Sequence, residues 1–371
     1  MKVIVFFTYG ISLKDWENSG LIDREVRFYN NLNNQYGIDI TFVTYGDSSD
    51  HNYTDLIPNI KVVPIYEFTN KHKNSFSRLL NSFFLRKVII NNCNISNAIF
   101  KTNQLWGSWL PLLLKIKYKN PFMVRTGYDL LTFKKKENKN FIKIFIYKIL
   151  TKISLKYSDI YLVTSEKDQN FLQVTFPKHA KKIKISRNWI DTEKFKSTDF
   201  KNKNGIISVG RLERQKNYSY LINSFSNSNH VIDIVGDGSL RHKLQNEISQ
   251  KNSKINLIGQ INNNDLLKML DTYKYFISST LYEGNPKAML EAMSSGCVVV
   301  APNVEGVNEI INGENGLLYD FEKDNLQNII EDLENRNLES LSKNAITFIN
   351  DNYSLENALK REVSFYQDFI N

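Results

Sequence analysis

Ser279-Thr280-Leu281-Tyr282-Glu283-Gly284-Asn285-Pro286-Lys287-Ala288-Met289-Leu290-Glu291-Ala292-Met293-Ser294-Ser295-Gly296, followed by the apolar run Cys297–Ala301, decides how this chain folds. A helical pattern at Pro286–Ser295 lies between two short apolar runs, Tyr275–Ser278 and Cys297–Ala301. Asn285 suits an N-cap and Pro286 the first helical turn. Gly296 suits a helix stop. Strand, helix and strand in so short a space make a parallel crossover. The helix then opens at the carboxyl ends of the strands, where open α/β sheets bind ligands. Its free N–H groups and positive dipole end form a seat for an anion such as a diphosphate.

The same alternation extends in both directions. Gly205–Val209, Val231–Val235 and Ile255–Ile258 read as strands, with helices at Tyr218–Phe225, Leu240–Ser249 and Asp265–Thr272. The tail from about Asn325 reads as helical. Toward the N-terminus, strands are expected at Val3–Phe7, Ile38–Thr44, Ala98–Lys101, Phe122–Val124 and Ile160–Val163. Helices are expected at Leu21–Tyr36, Ser77–Ile90, Trp109–Tyr118 and Phe141–Tyr157. The pattern lapses into polar residues near Phe195–Asn204, the expected linker. The reading is α/β: two Rossmann-like, doubly wound parallel sheets, residues 1–195 and 204–352, facing a cleft, with C-terminal helices.

A length of 371 residues suits two domains that each bury a core without a disulfide or metal staple. Val3–Phe7 is too short for a signal sequence. The apolar stretch Phe141–Leu155 is interrupted by Lys143, Lys148 and Lys152, which argues against a membrane-spanning helix. Cys93 and Cys297 form no paired motif, so a reducing cytoplasm is expected, with the inner face of the cell membrane as a further location. The formal charge of +9 is concentrated: Lys115–Lys156 holds twelve Lys/Arg against Asp129 and Glu137. Such a stretch suits an anionic partner (lipid headgroups, a phosphorylated acceptor or nucleic acid) or is a solvated face, and its basic 134–156 segment is the candidate for a peripheral contact with an anionic membrane.

The chemistry-bearing residues follow the strands. Gly210 permits a tight turn, and Arg211 and Lys216 supply a planar fork and a point charge suited to a diphosphate. Gly236-Asp237-Gly238 opens like a dinucleotide fingerprint, but Arg241 stands where the third glycine belongs, which counts against a nicotinamide or flavin enzyme. Gly259-Gln260-Ile261 offers backbone on which a flat base could lie, or is an ordinary turn. Glu291 can accept from both ribose hydroxyls, and Glu283 is placed nearer a sugar. Alternatively Glu291 faces Lys287 at i, i+4 and both acids are solvated.

Taken together, these motifs resemble glycosyltransferase family 4. The matching residues are Gly210-Arg211-Leu212 with Lys216, Val235-Gly236-Asp237-Gly238, the Glu283…Glu291 pair, and Glu291-Ala292-Met293 leading into Gly296. Asn188-Trp189-Ile190-Asp191 with Phe195, and Gly313-Glu314-Asn315-Gly316-Leu317-Leu318, also fit the family pattern. The resemblance implies the GT-B fold, with residues 353–371 returning to the first domain. It implies a retaining glycosyltransferase that moves a sugar from a nucleoside-diphosphate donor to a saccharide or lipid-linked acceptor, in cell-surface polysaccharide or glycolipid synthesis. Arg211, Lys216 and Glu283 are then the catalytic residues. Glu291, Gly210, Gly236, Gln260, Ile261, Gly284, Asn285, Pro286, Lys287, Ala288, Met289 and Gly10 bind the donor. Lys14, Trp16, Arg125, Tyr128 and Asp129 are the acceptor-side candidates. No cofactor and no metal are expected, and none of the five histidines falls in a motif. The first half departs from the family: its loop after the first strand has a single glycine, Gly10, and Arg125-Thr126-Gly127 stands where a histidine is often found.

Two rival readings fit the same residues. A nucleotide-sugar epimerase on the same scaffold would bind the donor but take no acceptor. A non-catalytic anionic-surface-binding protein would use the basic segment alone. Nucleic acid is not an expected partner, since aromatic-rich RNA motifs are absent.

Overall fold

The computed structural model describes residues 1–126, 141–194, 200–284 and 286–369. It divides into two compact units, Met1–Arg187 with Leu359–Asn371, and Asn188–Ala358. The first crossing falls upstream of the polar stretch 195–204, of which 195–199 lie outside the described residues. The physical reason is local to the second unit. Ile190 forms a parallel bridge with Ser354, and its N–H donates to the Tyr353 carbonyl at 2.8 Å.

The first unit is a seven-stranded sheet. In chain order its strands are β1 (Lys2–Phe6), β2 (Asp39–Thr44), β3 (Ile60–Pro64), β4 (Ala98–Thr102), β5 (Phe122–Arg125), β6 (Ile160–Val163) and β7 (Ile183–Ile185). The spatial order β3-β2-β1-β4-β5-β6-β7 is doubly wound, and every pairing is parallel. β4 is buried along its whole length, as a central parallel strand must be when helices cover both faces. Two strands absent from the sequence reading, β3 and β7, sit at the sheet's edges. The helix expected at Ser77–Ile90 is two, Ser75–Ser82 and Arg86–Asn92. At the break, Phe83 stacks on Trp109 with ring centroids 5.5 Å apart, and the Trp109 indole N–H donates to Ser82 Oγ at 2.9 Å. Tertiary packing overrides local periodicity there.

The second unit has six parallel strands: β8 (Asn204–Val209), β9 (Ile232–Val235), β10 (Ile255–Gly259), β11 (Tyr273–Ile277), β12 (Val298–Pro302) and β13 (Leu317–Tyr319). Their order, β10-β9-β8-β11-β12-β13, reverses direction at β8, which places a topological switch point beyond β8 and β11. β13, also absent from the sequence reading, begins within the Gly313–Leu318 stretch that fits the family pattern. The helical tail comprises Leu326–Glu334, Glu339–Tyr353 and Leu355–Gln367. The helix after β11 spans Lys287–Ser294, with Pro286 rather than Asn285 in the cap position; Asn285 itself is outside the described residues.

Candidate functional site

The loops leaving β8, β9, β10 and β11 are tied together at the carboxyl end of the second unit's sheet. The Gly210 N–H donates to the Val235 carbonyl at 2.9 Å, and the Gly236 N–H to the Gly259 carbonyl at 2.8 Å. Gly236 has φ +141°, and a Cβ there would collide with the carbonyl oxygen of Gly210. Only glycine allows the two loops this approach. At Gly210, an added Cβ would meet the Lys216 side chain at 2.9 Å, so the missing side chain leaves room for the lysine stem.

The β8 and β11 loops meet across the switch point. The Leu281 N–H donates to the Gln215 carbonyl at 2.8 Å, and Ser279 Oγ to the Lys216 carbonyl at 2.8 Å. This stitching delivers Lys216 Nζ to Glu283 Oε1 at 2.6 Å. Thr280 Oγ1 donates to the same carboxylate oxygen at 2.9 Å, and Gln215 Nε2 approaches the other at 3.4 Å. The Glu283 side chain is only 4 % exposed, whereas that of Lys216 is 21 % exposed. The carboxylate is thus fixed from several sides while the ammonium still reaches solvent.

Glu283 leads directly toward the helix Lys287–Ser294. Its N–H donates to the Glu305 carbonyl at 2.9 Å. Gly306, at φ +79°, passes so close that a Cβ would strike the Glu283 carbonyl oxygen. At the helix start, the N–H groups of Met289 and Leu290 both turn back to the Pro286 carbonyl. The Lys287 and Ala288 N–H groups precede them, in the first turn where an anion is favoured. Glu291 is buried one turn on, and Lys287 Nζ sits 2.8 Å from its Oε1. The i, i+4 contact weighed from sequence is therefore present, but it holds a buried carboxylate rather than two solvated groups.

Other second-unit candidates differ in character. Arg211 is exposed, and among the described residues its guanidinium makes no ion pair. Gln260 is exposed, whereas Ile261 packs against the core containing Met289, Leu290 and Met293. Ala288 and Gly284 are half-buried, and the Met289 side chain is fully in the core, leaving its backbone as its only polar offering. Three residues that sequence reasoning missed, Gln215, Thr280 and Gly306, all position Glu283. Gly306 follows β12 within Val304-Glu305-Gly306, so a search for post-strand glycines would have found it.

In the first unit, Gly10 is exposed at φ +82° in the loop after β1, with open space around its Cα. Ser12 and Asp15 form a capping box that starts the helix Leu13–Asn18, on which Lys14 is exposed. Trp16 of that helix turns inward and stacks on Phe7 with centroids 4.0 Å apart, so its ring belongs to the core. Arg125 ends β5, half-buried, and its backbone N–H donates to Thr102 Oγ1 at 3.2 Å. Its charge lies near Glu25: burial pushes that carboxyl up, but Arg24 and Arg125 outweigh burial and hold it below its ordinary value. Nearby, Lys101 on β4 pairs with Glu362, both buried, beneath the rings of Phe28, Tyr29 and Tyr366. Tyr128 and Asp129 are outside the described residues, as is the 134–140 part of the basic segment. Among the described residues, no group of three or more His, Cys, Asp or Glu could hold a metal ion.

Residues 190–348 match the family model for glycosyl transferases group 1. The matched span includes Arg211, Lys216, Glu283, Glu291 and Gly306. An uncharacterized glycosyltransferase of Methanocaldococcus jannaschii is 25 % identical over 338 residues, 85 % of this chain and 84 % of that protein. The UDP-Gal:alpha-D-GlcNAc-diphosphoundecaprenol alpha-1,3-galactosyltransferase of Escherichia coli is 29 % identical over 212 residues, which cover 51 % of this chain and about half, 55 %, of that enzyme. Among solved structures, Anabaena HepE in complex with UDP and glucose aligns with a TM-score of 0.73 at 14 % identity, covering 99 % of this chain and 100 % of that one. At that identity the likeness shows the fold, which is GT-B.

Proposed function

We propose that this chain is a glycosyltransferase that moves a sugar from a nucleoside-diphosphate donor to a saccharide or lipid-linked acceptor in cell-surface polysaccharide or glycolipid synthesis. The observation that carries the reading is the constellation at the second unit's switch point. Lys216 and Glu283 form a fixed pair, and Glu291 is buried in the helix that begins four residues after Glu283. In this reading Arg211 and the Lys216 ammonium neutralise the diphosphate as the glycosidic bond breaks. The first-turn N–H groups take phosphate oxygens. Glu291 exchanges its Lys287 contact for the ribose hydroxyls, and Glu283 orients the donor sugar.

The finer reading is a retaining, family 4 enzyme that transfers a hexosyl or related sugar. The anomeric carbon–oxygen bond to the diphosphate breaks, the acceptor oxygen bonds that carbon on the same face, and its proton passes to the departing phosphate. These steps call for no metal ion, and the cations of the chain meet the developing charge. The E. coli relative is named for a UDP-linked donor and a diphosphoundecaprenol acceptor, which makes a uridine donor and a lipid-linked acceptor the first to test. The cytoplasm, at the inner membrane face, is the matching location, with the anionic contact at the basic segment.

Incubation with UDP- and GDP-sugars and candidate acceptors, followed by product analysis, tests the proposal. Free nucleoside diphosphate plus a glycoside is the expected outcome. An epimerised nucleotide sugar without acceptor consumption would replace transfer with epimerisation. Anionic-surface binding without any nucleotide-sugar binding would replace both.

A further inference from the structure

Two segments of the first unit expose large apolar side chains in helical register. On the helix Phe141–Tyr157, Ile142, Phe145, Ile146, Ile149 and Ile153 are all exposed, Ile142 by 70 %. Their spacing of three and four places them on one stripe. The same helix buries Thr151 and Ser154 fully. Leu155 is buried with them and Leu150 packs on the core, so the helix has an ordinary inward face; its outward face is the unusual one, with large apolar side chains left in solvent beside the lysines. Along Ser75–Ser82 and the turn after it, Phe76, Leu80, Phe83 and Phe84 repeat the pattern, Phe84 with 74 % of its surface exposed.

The two segments flank one element. Trp109 donates its indole N–H to Ser82 at 2.9 Å, while the adjacent Ser108 Oγ lies 3.1 Å from Ser154 Oγ. Phe83 stacks on Trp109, and Tyr147 meets Trp106 edge-on at 5.7 Å. Their charge is of one sign. Residues 68–92 hold five Lys/Arg and residues 141–157 four lysines, and neither stretch contains Asp or Glu. Lys148, Lys152 and Lys156 are exposed in an i, i+4 row beside the apolar stripe.

We propose that these two segments form one docking face for an anionic bilayer surface. The phenylalanine and isoleucine side chains enter the acyl boundary, and the lysines lie among headgroup phosphates. Charge selects this occupant. A second copy seated symmetrically would oppose like-charged lysine rows, and the chain as a whole carries +9. No described helix is long and apolar enough to cross a membrane, so the face lies on the bilayer. The inference deepens the expectation of an anionic contact at 134–156: it adds 76–84 and makes apolar insertion a component beside charge. It stands independently of sugar transfer.

The test is flotation of the full chain with phosphatidylcholine vesicles, with and without phosphatidylglycerol. The wild type should float with the anionic vesicles and only weakly with the neutral ones. A Phe84→Ser/Phe145→Ser double variant removes two exposed rings and should keep the wild-type melting temperature while binding about tenfold or more weakly. The single variants serve if the double variant fails to fold. Lys148→Gln/Lys152→Gln should lose the anionic preference. Nucleoside-diphosphate affinity should be unchanged in all of them, which separates this inference from the proposed function. The proposal is overturned if the wild type binds neither vesicle, if the serine variants bind as the wild type does, or if the wild type is a dimer that they render monomeric.

Discussion

Exchanging the two partners of the Lys216–Glu283 pair should have unequal consequences, and the inequality follows from exposure. The carboxylate is 4 % exposed and the ammonium 21 %. Lys216→Met strands a charge that water reaches poorly. At an effective dielectric of about 20, opposite unit charges about 4 Å apart attract by about 4 kcal/mol before the cost of desolvation is subtracted. The hydrogen bonds from Thr280 and Gln215 remain, at 2.9 and 3.4 Å, and soften the loss. The expected cost is about 2–3 kcal/mol. For a unit of this size that lowers the melting temperature by about 4–12 °C. Glu283→Gln keeps the shape and can keep the Thr280 bond, and it leaves a lysine able to turn to solvent. Its cost should be below about 1 kcal/mol. Turnover should nonetheless fall steeply in both variants, because the proposed function has both groups meet the donor. Calorimetric melting of each single variant and the double, with parallel transfer assays, measures the difference. Equal destabilisation by the two single variants, or a larger loss in Glu283→Gln, is incompatible with the exposure argument.

Three further outcomes are expected. Arg211→Ala should leave the melting temperature within about 2 °C of wild type, since its exposed side chain contributes little to folding, while depressing turnover; normal turnover in the folded variant would remove Arg211 from the site. Gly306→Ala should cost at least about 1–3 kcal/mol and weaken donor binding, because its positive φ and the adjacent Glu283 carbonyl leave no room for Cβ; a variant with wild-type stability and affinity contradicts this. Burial pushes the Cys93 thiol up to about 11 and the Cys297 thiol up to about 12, so both stay protonated at pH 8. The native chain should therefore resist a thiol reagent until denaturant is added, and stability should decline as pH rises above about 8.5, where the unfolded thiols ionise first. Rapid labelling of the native chain would show the burial argument to be mistaken.

Much of the fold was legible because long parallel strands leave an unambiguous mark. β4 and β12 are buried end to end; β12 reads as an unbroken apolar run, and β4 opens on Ala98-Ile99-Phe100 before Lys101. The helix Trp109–Tyr118 falls within its expected bounds. Edge and three-residue strands were not legible. β7 and β13 are too short for a period of two to emerge, and they exist because a neighbouring strand offers its open side. The break at Phe83–Leu85 was hidden for a different reason: it is enforced by Trp109, distant in sequence. At the site, chemistry-bearing residues could be read from their places after strands, but orientation could not. Trp16 has the chemistry to face a sugar, and only the packing of Phe7 and Phe42 turns it inward. Gln215 and Thr280 carry no motif, and their role exists only once two loops are laid side by side.

The proposed function requires that the second unit hold a nucleoside diphosphate between the Lys216 loop and the helix bearing Glu291. Isothermal titration of UDP and other nucleoside diphosphates into the wild type and Glu291→Ala decides whether it does. At least one nucleotide should bind the wild type, and Glu291→Ala should bind it more weakly by about 1–3 kcal/mol, roughly five- to 150-fold, through lost ribose hydrogen bonds. Undiminished affinity in the variant, or no nucleotide binding by the wild type, would leave the Lys216–Glu283 constellation without its ligand.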